Sequence, residues 1–499
     1  MSVDAPDRTA ADLLAGVPTD LYVDGAWVAA EGGRRFDVTD PATGEVIASV
    51  ADGSAADGLR ALDAAHRAQE SWARTPARAR AEILRRGFEM VTARAEEFAR
   101  LITLEMGKPL AESRGEVAYG AEFLRWFSEE APRISGRYAT APDGANRLMV
   151  RKRPVGPCLL ITPWNFPIAM ATRKVAPAIA AGCTMVLKPA DLTPLTALLF
   201  TSVMAEAGLP PGVLNVVTTT DPGSFSGPLL ADDRLRKLSF TGSTPVGRTL
   251  MAAASERVLK VSMELGGNAP LLVCADADVD EAVEGAVVAK MRNGGEACVA
   301  ANRIFVHRSL ADEFTEKLTA RMRSFVIGPG SDPATTLGPL IDERSRRKVA
   351  GLVDEAVAGG ARVATGGEVP DGAGWFYPPT VLTDVRPDMR VVQEEIFGPV
   401  APVVVFDDED EAVRAANSSE YGLVAFVFTR DLDRALRLSE RLESGMVGIN
   451  TGVVSNPAAP FGGVKASGLG REGGAEGIEE YLETVYVGIR DPFATEGDQ

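Results

Sequence analysis

Apolar and polar positions recur along this chain with two periods, and the changes from one to the other mark its elements. Leu21-Tyr22-Val23-Asp24-Gly25-Ala26-Trp27-Val28 reads as a hairpin turning at Asp24-Gly25, and Asp40-Pro41-Ala42-Thr43-Gly44 as a turn before a strand over 46–50. From Ala55 to about Phe127 the apolar residues follow three-four spacing, Ile83, Leu84, Phe88 and Val91 among them. That predicts long helices, divided by the stop signals of Glu105-Met106-Gly107-Lys108-Pro109. Residues 1–20 are polar and Ala-rich and read as a loosely held arm. The stretch 136–154 is extended and partly basic.

Short apolar runs then alternate with helical stretches. Strands are expected over 158–161, 184–187, 213–217, 237–240 and 258–263, with helices over 168–180 and 194–206 and from 246. This alternation predicts a doubly wound parallel sheet. A second α/β pattern starts at Ala269, with strands over 269–273, 303–306, 376–382, 400–406 and 425–428 and helices over 278–291, 310–325 and 432–442. An acidic helix near 476–481 and a last strand over 485–489 close the chain. The fold class is α/β, two α/β domains with linking strands, and no internal repeat is visible.

Composition narrows the function. The 499 residues allow two or three domains, and 52 basic against 69 acidic residues give a net charge of −17, which argues against a nucleic-acid partner. No apolar run reaches the roughly 18 residues of a membrane span, and the N-terminus lacks a secretory pattern. Four scattered cysteines fit a reducing compartment, so a cytoplasmic protein is expected. With only two histidines, His66 in a charged helical pattern and His307 at a strand end, a histidine-rich metal site is excluded and no metal is expected. Any general base is more readily a carboxylate.

The cysteines differ in their surroundings. Cys158, Cys183 and Cys274 lie on or beside apolar strands and read as buried structural residues. Cys298 follows Gly294-Gly295-Glu296-Ala297, with Arg292 and Arg303 on either side, and reads as a nucleophile or as a spare loop thiol. In that first reading the glycines give access and the arginines favour thiolate. Asn165, in Pro163-Trp164-Asn165-Phe166-Pro167, offers an uncharged amide to an oxyanion or caps a helix. Glu264, before Leu265-Gly266-Gly267, can be a mobile general base or a solvated cap. No G-x-G-x-x-G follows a strand in the sheet region. Ser239-Phe240-Thr241-Gly242-Ser243-Thr244-Pro245-Val246-Gly247 joins a strand to a helix instead, and Gly242 and Ser243 can meet a pyrophosphate or form a plain turn. Lys188 and Asp191, at the end of another strand, can bracket ribose hydroxyls.

Taken in order, these motifs, with Glu394-Glu395-Ile396-Phe397-Gly398-Pro399 and Pro460-Phe461-Gly462-Gly463-Val464-Lys465, resemble the aldehyde dehydrogenase superfamily over nearly the whole chain. The resemblance implies a dinucleotide-binding domain over 1–137 and 155–265, a catalytic domain over 266–465, and an oligomerisation arm with a C-terminal tail over 138–154 and 466–499. It implies oxidation through a thiohemiacetal and a thioester on Cys298, an oxyanion held by Asn165, and water activated by Glu264. Trp164, Lys188, Ser243, Leu265, Glu395 and Phe397 match positions that contact the dinucleotide. Asp191 favours NAD, with NADP possible, because its charge repels a 2′-phosphate.

Within the superfamily the chain resembles most the succinate-semialdehyde dehydrogenases, through Ala169-Met170-Ala171-Thr172-Arg173-Lys174, Lys290-Met291-Arg292-Asn293 and Gly448-Ile449-Asn450-Thr451-Gly452-Val453-Val454-Ser455-Asn456. That likeness implies that Arg173, Arg292 and Ser455 grip a distal carboxylate; on its own, Arg173 can equally be a solvated helix residue. The expected partner is an aldehyde carrying a distal carboxylate, succinate semialdehyde or else glutarate semialdehyde. The bridging arm implies a homodimer or homotetramer. Two departures stand out. Glu296-Ala297 precedes the thiol where relatives often carry Gln-Thr, placing an extra charge near it, and Ala300 stands where some relatives have a second cysteine, so no local disulfide switch is expected.

Overall fold

The apolar runs of the middle of the chain become the strands of an eight-stranded sheet. A computed structural model describes residues 9–493. The parallel core of that sheet runs Leu214–Val216, Met185–Lys188, Cys158–Ile161, Lys237–Thr241 and Lys260–Glu264. Apart from Lys260 and Val261 its strand residues are buried, as expected where helices cover both faces. Chain order reverses between Cys158–Ile161 and Lys237–Thr241, and such sheets bind ligands outside the carboxyl ends of the strands at that point. The hairpin Leu21–Val23 and Ala26–Val28 closes one edge; Asp24 and Gly25 both take positive φ, 53° and 81°, as its tight turn requires. Gly468–Leu469 closes the other edge, antiparallel to Lys260–Glu264.

A seven-stranded sheet holds the second pattern, in the order Arg362–Thr365, Thr380–Thr383, Val400–Phe406, Ala301–His307, Ala269–Val273, Val424–Phe428 and Met446–Ile449. All its pairings are parallel except the first. A separate three-stranded sheet pairs Asn146–Pro154 with Arg137–Thr140 and with Leu482–Arg490. No helix among the described residues is long and apolar enough to cross a membrane.

Several expectations need correction. The segment 9–20 is not a loose arm: Ala10–Ala15 is a helix with a Thr9–Asp12 capping box, and Leu13 and Val17 are buried. Residues 1–8 of that expectation lie outside the described residues. The long helical stretch is four helices, Ala55–Arg74, Ala77–Ala93, Ala95–Met106 and Leu110–Glu130, because Pro76 and Arg94 interrupt it as well as Gly107. Val258, placed in a strand, sits in a turn at φ 51° and 91% exposed, and the strand starts at Lys260. The strand expected over 376–382 begins only at Thr380, since Pro378 and Pro379 have no N–H for a ladder. Two amphipathic helices, Glu343–Ala358 and Glu409–Asn417, went unread.

Candidate active site

A cavity of ≈ 500 Å³ opens at the strand-order reversal, with Pro163, Trp164 and Asn165 on one strand end and Thr241, Gly242 and Ser243 on the other. Cys298 lines it, while Cys158, Cys183 and Cys274 are buried elsewhere as expected. The thiol sits on the loop between helix Val279–Met291 and strand Ala301–His307. Gly295 lets that loop turn: its φ is 79°, and a Cβ there would stand 2.2 Å from the Gly398 carbonyl. Gly267 lets it seat, since a Cβ would stand 2.3 Å from the Cys298 carbonyl. Gly295 and Gly267 therefore serve backbone packing around the thiol.

Burial pushes the Cys298 thiol up to about 12; the charges of Arg173 and Arg292 pull it down, and those of Glu395 and Glu264 push it up. Arg303, the other candidate thiolate stabiliser, faces away. Its guanidinium donates to the carbonyls of Asn268, Ala415 and Ala416, closing the C-terminal end of helix Glu409–Asn417. Glu296 also turns from the thiol. Its Oε1 accepts the Ile341 N–H at 3.1 Å, and burial pushes its carboxyl well above the usual range.

Asn165 is held from both sides. Lys108 Nζ donates to its carbonyl at 2.7 Å and to Glu116 Oε2 at 2.6 Å, while Glu116 Oε1 accepts the first N–H groups of helix Pro167–Ala181 from Ile168 and Ala169. Asn293, at φ 55°, donates through Nδ2 to the carbonyls of both Asn165 and Glu296, tying the two loops together. The Asn165 Nδ2 donates one hydrogen to the Glu296 carbonyl at 2.9 Å, which leaves its second hydrogen for a ligand. Lys108, read only as part of a helix stop, and Asn293 went unrecognised in the sequence.

Glu264 ends strand Lys260–Glu264 and is buried, and its Oε2 has no hydrogen-bond partner. It is close enough to Cys298 for the two charges to interact, yet it does not line the cavity. Burial pushes its carboxyl well up and the Glu472 charge adds to this, while Arg173, Lys174 and Arg471 pull it down. Glu472 was missed because it lies in a glycine-rich turn. It pairs with Arg173 at 2.7 Å and with Lys174 at 2.6 Å.

The three residues expected to hold a carboxylate lie on the same cavity. Arg173 is buried on helix Pro167–Ala181, stacked 4.0 Å over Phe461, which excludes the solvated-surface reading. Arg292 Nη1 donates to Ser455 Oγ at 3.2 Å and makes no ion pair among the described residues. All three line the cavity.

The cavity also fits a dinucleotide. Trp164, Gly242, Ser243, Leu265, Glu395 and Phe397, the residues expected to contact a cofactor, all line the cavity. Ser243 opens helix Thr244–Ser255 without a side-chain cap bond and lines the cavity, and a helix N-terminus can receive an anion. Thr241 Oγ1 is buried without a partner, and a Cβ on Gly266 would crowd Glu395 Oε2 at 3.1 Å, so this wall has both a free polar atom and clearance. Glu395 Oε1 accepts the Gly267 N–H at 3.1 Å, and Lys348, on the unread helix Glu343–Ala358, donates to the Glu395 carbonyl at 2.7 Å. Lys188 and Asp191 do not line this cavity. Lys188 donates to the Pro189 carbonyl, and burial lowers its ammonium while the Asp191 charge raises it. Asp191 faces a separate small cavity beside Thr39 and Glu105. Among the described residues no three His, Cys, Asp or Glu side chains form a metal-ligand cluster.

A thiol, an uncharged amide donor, a nearby carboxylate and an anion clamp around one cavity suit attack on a carbonyl compound with a distal negative charge. The sequence pattern of the aldehyde dehydrogenase family matches residues 27–487. The chain is 62% identical over 448 residues to a protein described as succinate-semialdehyde dehydrogenase from Paenarthrobacter nicotinovorans, spanning 90% of this chain and 100% of the other. It is 50% identical over 468 residues to a glutarate-semialdehyde dehydrogenase of Pseudomonas putida, spanning 94% and 97%. A solved structure of an NADP-dependent enzyme from Escherichia coli matches it with a TM-score of 0.94 at 48% identity, over 95% and 98% of the two chains.

Proposed function

The chain belongs to the aldehyde dehydrogenase family, and from that premise we propose that it oxidises succinate semialdehyde to succinate with NAD(P). The observation that carries the substrate is the Arg292–Ser455 pair beside Arg173, all on the cavity of Cys298. A guanidinium fork holds a carboxylate in a fixed plane, and a neutral aldehyde leaves Arg292 without an anion. Glutarate semialdehyde is the competing substrate, favoured by the Pseudomonas putida relative; one methylene is worth only about 1–3 kcal/mol in a pocket.

Cys298 Sγ adds to the aldehyde carbon, and the Asn165 amide donates to the oxygen of the resulting thiohemiacetal. A bound nicotinamide dinucleotide supplies the hydride acceptor. Loss of the aldehydic hydrogen as hydride, with the proton that the thiol brought passing to solvent, leaves a thioester on Cys298. Glu264, once ionised, takes a proton from water, whose oxygen attacks the acyl carbon and releases the thiol and the acid. Trp164, Gly242, Ser243, Leu265, Glu395 and Phe397 hold the dinucleotide, and Lys188 and Asp191 are assigned to its ribose end, where Asp191 disfavours a 2′-phosphate and so favours NAD. The domain assignment of 1–137 with 155–265 for cofactor and 266–465 for catalysis belongs to the same reading. So does a homodimer or homotetramer built through 138–154 and 466–499, supported by the exposed Tyr138, Tyr486 and Ile489 of the three-stranded sheet. Four free cysteines are consistent with a cytoplasmic location.

The test is kcat/KM for succinate semialdehyde, glutarate semialdehyde and butanal with each dinucleotide. Succinate semialdehyde is expected to exceed butanal by ~100-fold or more, about 2.8 kcal/mol at 1.4 kcal/mol per tenfold. Equal turnover of butanal would refute the clamp.

A further inference from the structure

Tyr119 lies on helix Leu110–Glu130, one turn beyond Glu116, and it lines the cavity. Its ring packs edge-on against Phe123 at 5.0 Å and 76°, and the Arg292 guanidinium sits 5.6 Å from its centroid, so the side chain is held from two sides. The hydroxyl is buried and has no hydrogen-bond partner. Ser455 is its hydrogen-bonding neighbour, at longer than normal hydrogen-bond reach, and it sits within the field of both Arg173 and Arg292. Native proteins rarely leave a buried hydroxyl unsatisfied, so one on a residue that lines a ligand cavity marks a donor available to an acceptor bound there.

Charge decides which acceptor. Arg173 is already neutralised by Glu472, whereas Arg292 makes no ion pair among the described residues and bonds only to the neutral Ser455. Arg292 is therefore the clamp cation without a carboxylate in contact, with Glu112 acting on it only at longer range, and the clamp suits a monoanion. Two oxygens of a carboxylate offer about four lone-pair sites, more than Arg292 and Ser455 fill. Burial raises the Tyr119 phenol above its ordinary value, so it stays protonated and can only donate to an anion.

We propose that Tyr119 is a further specificity-determining residue, whose hydroxyl donates to the distal carboxylate of the aldehyde beside Arg292 and Ser455. This rests on the carboxylate-clamp reading above. A site that hydrogen-bonds one group of a substrate rejects the analogue lacking it, because the donor is then left unpaired.

The test is Tyr119→Phe, which keeps the ring and its contacts and removes only the hydroxyl. The ratio of kcat/KM for succinate semialdehyde to that for butanal is measured in both proteins, so that the fraction of active enzyme cancels. The ratio is expected to fall ~10-fold in the variant, carried by KM for succinate semialdehyde rather than by kcat. An unchanged ratio, or equal losses on both aldehydes, overturns the role of Tyr119 while the clamp stands. A wild-type protein with no preference for the carboxylated aldehyde overturns the clamp itself, and Tyr119 with it.

Discussion

Cys298 carries a neutral thiol in the free protein, because burial outweighs the two arginines that favour thiolate. The sign of its pH dependence follows. The folded value lies above the ordinary one, so thiolate grows with every pH unit until about 12. Iodoacetamide labelling of Cys298, followed by peptide mass spectrometry, is expected to accelerate ~10-fold per unit between about pH 7 and about pH 9. A rate that levels off below about pH 8 would mean that the arginines prevail and would contradict this balance. The same residue shows where local reading stops. Arg292 and Arg303 flank the thiol almost symmetrically in sequence, but one faces the cavity and the other caps a helix. Which way a side chain faces depends on tertiary packing, and no nearby pattern encodes it.

At the scale of elements, the parallel strands were legible because burial on both faces makes them unbroken apolar runs. Boundaries failed where one residue overrides the pattern, as Pro378 and Pro379 do before Thr380 and Val258 does before Lys260. The supports of the site failed to show for another reason. Lys174 and Glu472 pair across 298 positions, and Lys108 reaches Asn165 across 57, so neither partner carries a local signal. Arg303 joins elements in the same way, linking strand Ala301–His307 to the end of helix Glu409–Asn417. Replacing it with leucine strands the buried carbonyls of Asn268 and Ala416, while Ala415 keeps its bonds from Ser418, and is expected to cost about 2 kcal/mol or more. The readout is a lower melting temperature, with kcat per folded molecule retained. An unchanged melting temperature would show that the cap is dispensable.

At the scale of the whole molecule, the chemistry is divided between the two large sheets. Asn165 and Glu264 come from strand ends of the first, Cys298 and Arg292 from the connection between strands Ala269–Val273 and Ala301–His307 of the second, and Ser455 and Glu472 from the loops that follow it. The site exists only where these parts pack together, which is why a site assembled from dispersed motifs was readable through family likeness and not from any one stretch. The central claim, a thioester on Cys298 released by water that Glu264 activates, requires both halves in one reaction. Glu264→Gln keeps size and burial but cannot become a base. Mixed with succinate semialdehyde and NAD and quenched in acid, this variant is expected to carry a succinyl group on the Cys298 peptide by mass spectrometry, with a burst of NADH of about one per active site and slow turnover afterwards. Wild-type-like turnover with no acyl group on Cys298 would contradict the account.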